Sequence, residues 1–147
     1  MNTVRQLSVF LENRSGRLAE VFNKLAEEQI NVRAMCVADT SEFGILRLIV
    51  PDTKRSAAVL RDAGFAVGES QVFAAEVPDK PGGMAGVLKV LAEDAINVEY
   101  AYAYGPVEGT GKAVILFRVP DEILETTAKA FANANIRTLS EQELMSL

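Results

Sequence analysis

An internal repeat constrains the fold of this 147-residue chain more than any other feature of its sequence. Residues 11–32 match residues farther along after a shift of 66 positions (16 to 82), and later the shift becomes 69 (50 to 119). The matched residues are Gly16/Gly82, Ala19/Ala85, Val21/Val87, Leu25/Leu91, Ala26/Ala92, Glu27/Glu93, Ile30/Ile96, Asn31/Asn97, Val32/Val98 and Val50-Pro51-Asp52/Val119-Pro120-Asp121. Such self-similarity is the signature of duplicated architecture. We therefore expect two similar domains, over residues 1–69 and 70–147, and function at paired sites or at the seam between them.

Composition and charge exclude several classes of protein. Hydrophobic residues make up 49% of the chain, which is typical of a globular protein. The net charge of −5 argues against nucleic-acid binding, which depends on clustered Lys and Arg. The single cysteine, Cys36, excludes an internal disulfide, and no apolar run approaches the roughly 20 residues needed to span a bilayer. The first residues also lack the pattern of a secretory signal. We expect a soluble, cytoplasmic protein with neither a nucleic acid nor a membrane as partner.

Hydrophobic periodicity predicts the order β-α-β-β-α-β in each repeat. The predicted elements of the first repeat are strands at 6–11, 32–38, 45–50 and from 65, with helices after Gly16 and at 53–63, the latter closed by Gly64. Those of the second are strands at 72–77, 98–104, 113–119 and near 136–139, with helices after Gly83 and around 122–133. Gly68-Glu69-Ser70 is predicted to be a short linker. The fold class is thus α+β: two ferredoxin-like units side by side, each an antiparallel sheet with its helices on one face.

A polar turn containing glycine precedes the first helix of each repeat and is the main candidate site. At a helix N-terminus four backbone N–H groups lack intrahelical partners, and the helix dipole favours a negative group there. Glycine lets a ligand approach the backbone, so such a turn can bind a carboxylate. A short polar residue before a helix also commonly serves only as an N-cap. The candidate ligand-binding residues are Asn13, Arg14, Ser15, Gly16, Arg17 and Leu18 in the first repeat, and Asp79, Lys80, Pro81, Gly82, Gly83 and Met84 in the second.

These turns resemble those of the ACT domain family, small modules that bind amino acids and regulate metabolic enzymes. Both 13–18 and 79–84 fit the family pattern Asn/Asp-x-Pro/Ser-Gly-x-Leu/Met, and both first helices are followed by the family's Ile-Asn-Val. The resemblance covers essentially the whole chain, as two ACT units in tandem. It implies a shared eight-stranded sheet, with a free amino acid bound in the groove between the units. Each turn would then face the second strand of the other repeat.

The resemblance also implies roles for individual residues. Asn13 and Asp79 would accept hydrogen bonds from the ammonium group of the ligand, and the N–H groups near each glycine would bind its carboxylate. The alternating residues Tyr100, Tyr102 and Tyr104 share one strand face. Tyr100 and Tyr102 are candidates for the wall of the groove, and cross-strand packing or a dimer surface is the alternative explanation of the stripe. Because Asp79 is charged and Gly82-Gly83 is more open than Gly16-Arg17, we expect unequal sites.

No group of residues in the sequence has the pattern of a catalytic or metal site. The chain contains no histidine, the commonest general base, and the Gly105–Lys112 segment lacks the spacing of a phosphate-binding loop. We expect neither a cofactor nor catalysis, but a regulatory protein that acts on a separate metabolic enzyme or through its own oligomer. The alternative is an interaction module that has lost its ligand. Because helices on one face leave the other face of a sheet to be covered, we expect a homodimer.

Overall fold

The computed structural model describes residues 1–39 and 42–147, so Thr40 and Ser41 of the predicted hairpin loop lie outside the described residues. The chain divides into two compact units. The first unit is Arg5–Ser70, and the second is Gln71–Leu147 together with Met1–Val4. Asn2 Nδ2 donates a hydrogen bond to the carbonyl of Thr138 at 3.2 Å, which ties the N-terminus to the second unit. The division into domains 1–69 and 70–147 stays a prediction.

The first unit is a ferredoxin-like α+β sandwich. Its elements are β1 (Val4–Glu12), α1 (Arg17–Glu27), β2 (Ala34–Asp39), β3 (Phe43–Ile49), α2 (Thr53–Asp62) and the beginning of β4 (Ala66–Pro78). Strand β3 pairs antiparallel with both β1 and β2. As the alternation predicts, Leu7, Val9 and Leu11 of β1 face one core together with Val21 of α1 and Leu60 of α2. The intervening residues of β1 face the other way, and Phe10 there is 50% exposed.

The second unit repeats this arrangement and extends it. Its further elements are α3 (Gly83–Glu93), β5 (Tyr100–Val107), β6 (Lys112–Arg118), a 3-10 turn at Asp121–Ile123, α4 (Leu124–Asn133), β7 (Thr138–Leu139) and α5 (Glu141–Met145). Strand β6 pairs antiparallel with β4 and β5, and β7 pairs with β4. Phe131 of α4 contacts Phe73 and Phe117 with ring centroids 5.4 and 5.9 Å apart. The predicted fold class is confirmed.

The Ile-Asn-Val segment after the first helix of each repeat follows a specific helix end. The N–H of Ile30 donates to the carbonyl of Leu25, and that of Ile96 to Leu91, each at 2.9 Å. This bond, from the sixth residue to the first residue of the helix end, defines the Schellman motif. In that motif the residue after the C-cap has a left-handed backbone conformation. Gln29 has a φ of 58° and Ala95 a φ of 54°, so both motifs form without glycine. The isoleucine is buried in each case and covers the end of its helix.

Two elements differ from the prediction. Gly68-Glu69-Ser70 is no linker, because it lies inside the continuous 13-residue strand β4. One polar side chain of this stretch is bonded to a buried residue of the neighbouring strand β1. Gln6 is fully buried, and its Nε2 donates to Ser70 Oγ at 3.1 Å. Helix α5 was not predicted, although Ser140 and Glu143 form a capping box at its start.

Helix α5 buries a side chain outside the main core of the second unit. The registers place Leu139 opposite Ala74, and Ala74 opposite Leu116, on the strand face that points away from the core cluster containing Phe73. Leu144 of α5 is also fully buried without belonging to that cluster. Its carbonyl accepts a hydrogen bond of 3.2 Å from the hydroxyl of Tyr104.

Candidate functional site

Helices α1 and α3 both begin at a glycine in the left-handed conformation. Gly16 has a φ of 89° and Gly82 a φ of 84°, values that L side chains rarely adopt. A glycine at the N-cap has no side chain to accept from the first-turn N–H groups, which are the groups that an N-cap normally satisfies. Within the described part of the chain the Asp79 carboxylate makes no hydrogen bond either. The N–H groups of Arg17 and Gly83 donate back to the carbonyls of Arg14 and Lys80, at 3.4 and 3.0 Å. Gly16 and Gly82 supply no side-chain cap to the next two N–H groups of each helix.

The first turn is held by a backbone hydrogen bond and by two ion pairs. The N–H of Asn13 donates to the carbonyl of Glu42 at 2.8 Å, and Arg14 forms an exposed ion pair with Glu12 at 2.9 Å. Arg17 pairs with Glu20 on the next turn of α1 at 2.5 Å. Its guanidinium also lies 4.5 Å from the centroid of the Phe65 ring, so only 18% of its side chain is exposed.

The second turn instead borders an open cavity of about 460 Å³ within the second unit. Its walls come from the turn, from one face of α3, from the end of α4 and from the adjoining strand ends. They comprise Glu76, Pro78, Lys80, Pro81, Gly82, Gly83, Gly86, Val87, Val90, Lys112, Ala134, Asn135, Ile136 and Arg137. The volume falls within the range of about 300–1,000 Å³ that is typical of small-molecule sites.

Three cations and one carboxylate line this cavity. Glu76, whose side chain is only 11% exposed, pairs with Arg137 at 2.9 Å and with Lys112 at 3.2 Å. Arg137 pairs in turn with Glu143 of α5 at 2.8 Å. The hydrogen bond that Arg137 donates to Glu143 and the charge of Glu76 raise the pKa of Arg137 above its ordinary value, so the guanidinium stays charged. Lys80 has no ion-pair partner among the described residues. The lining therefore carries an excess of positive charge.

Residues that line the cavity of the second unit are smaller than their counterparts in the first unit. The 66-residue shift matches Gly83 with Arg17 and Gly86 with Glu20, the two members of the ion pair that covers the first turn. The cavity-lining Ile136 likewise corresponds to Phe65, since each donates its N–H to the helix before it in the same way. At the positions that correspond to these lining residues, the first unit has an arginine, a glutamate and an aromatic ring.

The structure brings together part of the predicted site. Lys80, Pro81, Gly82 and Gly83 line the cavity, whereas Asp79 and Met84 are not among its lining residues. Met84 packs against the core of the second unit instead. Leu18, its counterpart, is 39% exposed, and Ser15 is also exposed.

The tyrosine stripe lies elsewhere in the second unit. Tyr100 and Tyr102 do not line the cavity, and they pair across the sheet with Arg118 and Leu116. Their assignment to a ligand groove stays a prediction.

Sequence reasoning missed Glu76, Gly86, Lys112 and Arg137. Only Gly86 left a local signal, because it follows Gly83 by three residues and lies on the same side of α3. Glu76 and Lys112 come from β4 and β6, and Arg137 lies directly before β7, so the three charged residues converge only in the folded unit.

The structure shows neither a membrane-spanning helix nor a metal cluster in the residues that it describes. No helix in these ranges is long and apolar enough to cross a bilayer. No group of three His, Cys, Asp or Glu side chains in them could hold a metal ion.

Comparison with known proteins places the chain in a family. The family model for an ACT domain pair matches residues 2–147. Protein BT0572 from Bacteroides thetaiotaomicron is similar in structure, with 34% sequence identity, a TM-score of 0.88, and coverage of 99% of this chain and 97% of that one. No similar protein was found among curated proteins.

The regulatory subunits of aspartate kinase from Thermus thermophilus and Thermus flavus share the fold at lower identity. The first is 18% identical with a TM-score of 0.64, over 91% of this chain and 93% of that one. The second is 16% identical with a TM-score of 0.62, over 92% and 94%. From the family match over almost its full length, we conclude that this chain belongs to the ACT domain family and consists of a pair of ACT domains.

Proposed function

We propose that this ACT pair is a non-catalytic regulatory protein that binds a free amino acid at the start of a first helix. The observation that carries the proposal is the glycine N-cap at α1 and α3, where neither Gly16 nor Gly82 caps the first-turn N–H groups with a side chain. These donors and the positive end of the helix dipole suit the carboxylate that every free amino acid carries. Membership of the ACT family supports the choice of ligand.

The second turn is the stronger candidate of the two. Its glycines border a cavity, whereas Arg17 and Glu20 cover the first turn. The groove between the repeats, with strand residues such as Tyr100 and Tyr102 completing each site, stays a prediction.

Regulation requires the ligand to bind two states of the system with different affinity. The second state is proposed to involve either a separate metabolic enzyme or a homodimer of this chain. The solved structures that share the fold include regulatory subunits of an enzyme, a likeness that bears on the fold alone.

A thermal-shift screen of the purified protein against the twenty amino acids, followed by calorimetry, tests the proposal. A ligand present at 100 times its Kd stabilises the folded state by about 2.7 kcal/mol, which raises the melting temperature measurably. If no amino acid produces a shift or a heat of binding, the proposal is wrong, and the interaction-module alternative gains support.

A pair of isosteric variants locates the site. Gly82→Asp places a carboxylate beside the α3 donors, whereas Gly82→Asn adds the same shape without charge. No atom lies within 4 Å of the position that a Cβ would take at Gly82, and Asp and Asn tolerate its left-handed φ better than other L residues. We expect the Asp variant to bind the amino acid much more weakly than the Asn variant. Equal affinity in the two would argue against carboxylate binding at this turn.

A further inference from the structure

The cavity beside the second turn has a composition that specifies a class of ligand. We infer that it binds an acidic amino acid, one molecule per chain, with the side-chain carboxylate of the ligand directed to Lys112 and Arg137. The inference rests on the proposed function, because it names the ligand class and the stoichiometry of the same site.

The first argument for an acidic ligand is charge complementarity. The cavity is lined by Lys80, Lys112 and Arg137 against a single carboxylate, that of Glu76. With Glu143, which pairs with Arg137 at 2.8 Å, the groups around the cavity have one positive charge in excess, and the helix dipole of α3 adds to this positive potential. An acidic amino acid has two carboxylates and one ammonium group, and its net charge of −1 matches this excess.

The position of Glu76 determines the orientation of the ligand in the cavity. Its carboxylate is largely buried between Lys112 and Arg137, at 3.2 and 2.9 Å. A carboxylate held in this way can accept from the ammonium group of a ligand while the two cations beside it bind the second carboxylate. A ligand with a neutral side chain would leave the one excess positive charge of the site uncompensated.

The comparison of the two repeats supports a stoichiometry of one ligand per chain. In the first unit Glu20 supplies a carboxylate at the position of Gly86, and Arg17 binds it at 2.5 Å. The first unit therefore already contains, in its own chain, a carboxylate bound near the start of the helix. The second unit has glycine at both positions and leaves the space open. We expect one site per chain.

Gly86 offers a direct way to fill the cavity. It lines the cavity, and no atom lies within 4 Å of the position that a Cβ would take there. Gly86→Leu should therefore fold normally, since leucine is also a better helix former than glycine. The matched control is Glu20→Leu at the equivalent position of α1, which leaves the second unit unchanged.

The experiment is calorimetric titration of the full chain with L-glutamate and L-aspartate, and with L-glutamine and L-asparagine as neutral counterparts. We expect one binding event per chain, with the acidic member of each pair at least about tenfold tighter, the effect of losing one bond to a charged group. Gly86→Leu should weaken binding of the acidic ligand by at least the same factor, and Glu20→Leu should leave it unchanged. Lys112→Met, at an exposed side chain, should weaken the acidic ligand and not its amide.

Each outcome decides between the two proposals. If amides bind as tightly as acids, or if Gly86→Leu folds and binds with unchanged affinity, this inference is wrong while the proposed function stands. Two equal sites per chain would contradict the stoichiometry. If none of the twenty amino acids binds, both proposals fail.

Discussion

Replacement of Gly83 by alanine tests the geometry of the second turn most sharply. A Cβ at this position would lie 1.9 Å from the carbonyl oxygen of Pro78, 2.9 Å from its carbonyl carbon and 3.2 Å from its Cβ. The nearest of these contacts is about 1.5 Å too short (3.4 − 1.9), and the atoms belong to the last residue of β4, which is paired with Lys112 of β6. The collision can be relieved only by moving the strand end or the helix start.

Overpacking of this kind costs about 1–3 kcal/mol and sometimes more, against which the better helix propensity of alanine returns at most about 1 kcal/mol. We expect Gly83→Ala to lower the free energy of unfolding by about 2 kcal/mol. At about 2–4 °C per kcal/mol for a chain of this size, the melting temperature should fall by roughly 4–8 °C.

Urea denaturation and a thermal scan, both followed by circular dichroism, measure this loss against a control on the same helix. Gly86→Ala adds the same methyl group where no atom lies within 4 Å, so it should raise the free energy of unfolding by about 0.4–1 kcal/mol. The reasoning is refuted if Gly83→Ala is as stable as the parent protein, or if both variants lose the same amount.

Three further results are expected. Gly82→Ala should cost about 1–2 kcal/mol of unfolding free energy in urea titrations, because an L side chain is strained at a φ of 84° even where space is open; no loss would speak against the left-handed cap. Tyr104→Phe should cost about 0.5–1.5 kcal/mol in the same assay by removing the hydrogen bond to Leu144, and a loss near zero would mean that the bond does not anchor α5. The Ser140 N–H lowers the pKa of Glu143 below its ordinary value, so the stabilising effect of the ionised carboxylate is complete above the unfolded-state pKa and is lost as the pH falls through the lower, folded-state pKa. Glu143→Gln should therefore be less stable than the parent at pH 7 and equal to it in acid below that folded-state pKa, and a pH-independent difference would contradict the assignment.

The order of elements was predictable because each signal is local and occurs twice. Alternation in β1, the apolar stripe of α1 and the glycines of the turns depend on residues close in sequence. The supposed linker at 68–70 was wrong because β-propensity depends on context, and the buried Gln6 provides a partner for Ser70 in the sheet. The capping box of α5 was present in the sequence as Ser-x-x-Glu, but its five residues are too few for a visible hydrophobic period.

The candidate site was predictable only in part, because the sequence reveals local features but not contacts between residues that are far apart in the chain. The turn glycines reveal themselves by their spacing, and the contrast between Gly83 and Arg17 was visible in the alignment of the repeats. The cavity depends on Glu76, Lys112 and Arg137, which lie far apart in sequence and meet through strand pairing. No periodic pattern encodes that convergence.

The Arg17–Glu20 ion pair affects how the first unit is expected to respond when a solute is added. Because both side chains are covalently part of α1, dilution or dialysis does not remove them from the first turn, and their effective concentration there is fixed. The Arg17–Glu20 pair is thus present in every preparation, whereas under the proposed function the cavity of the second unit gains its ligand from the solution. Amides whose hydrogen exchange slows on addition of a solute are therefore expected among residues 71–147, and residues 5–70 provide an internal reference in the same molecule.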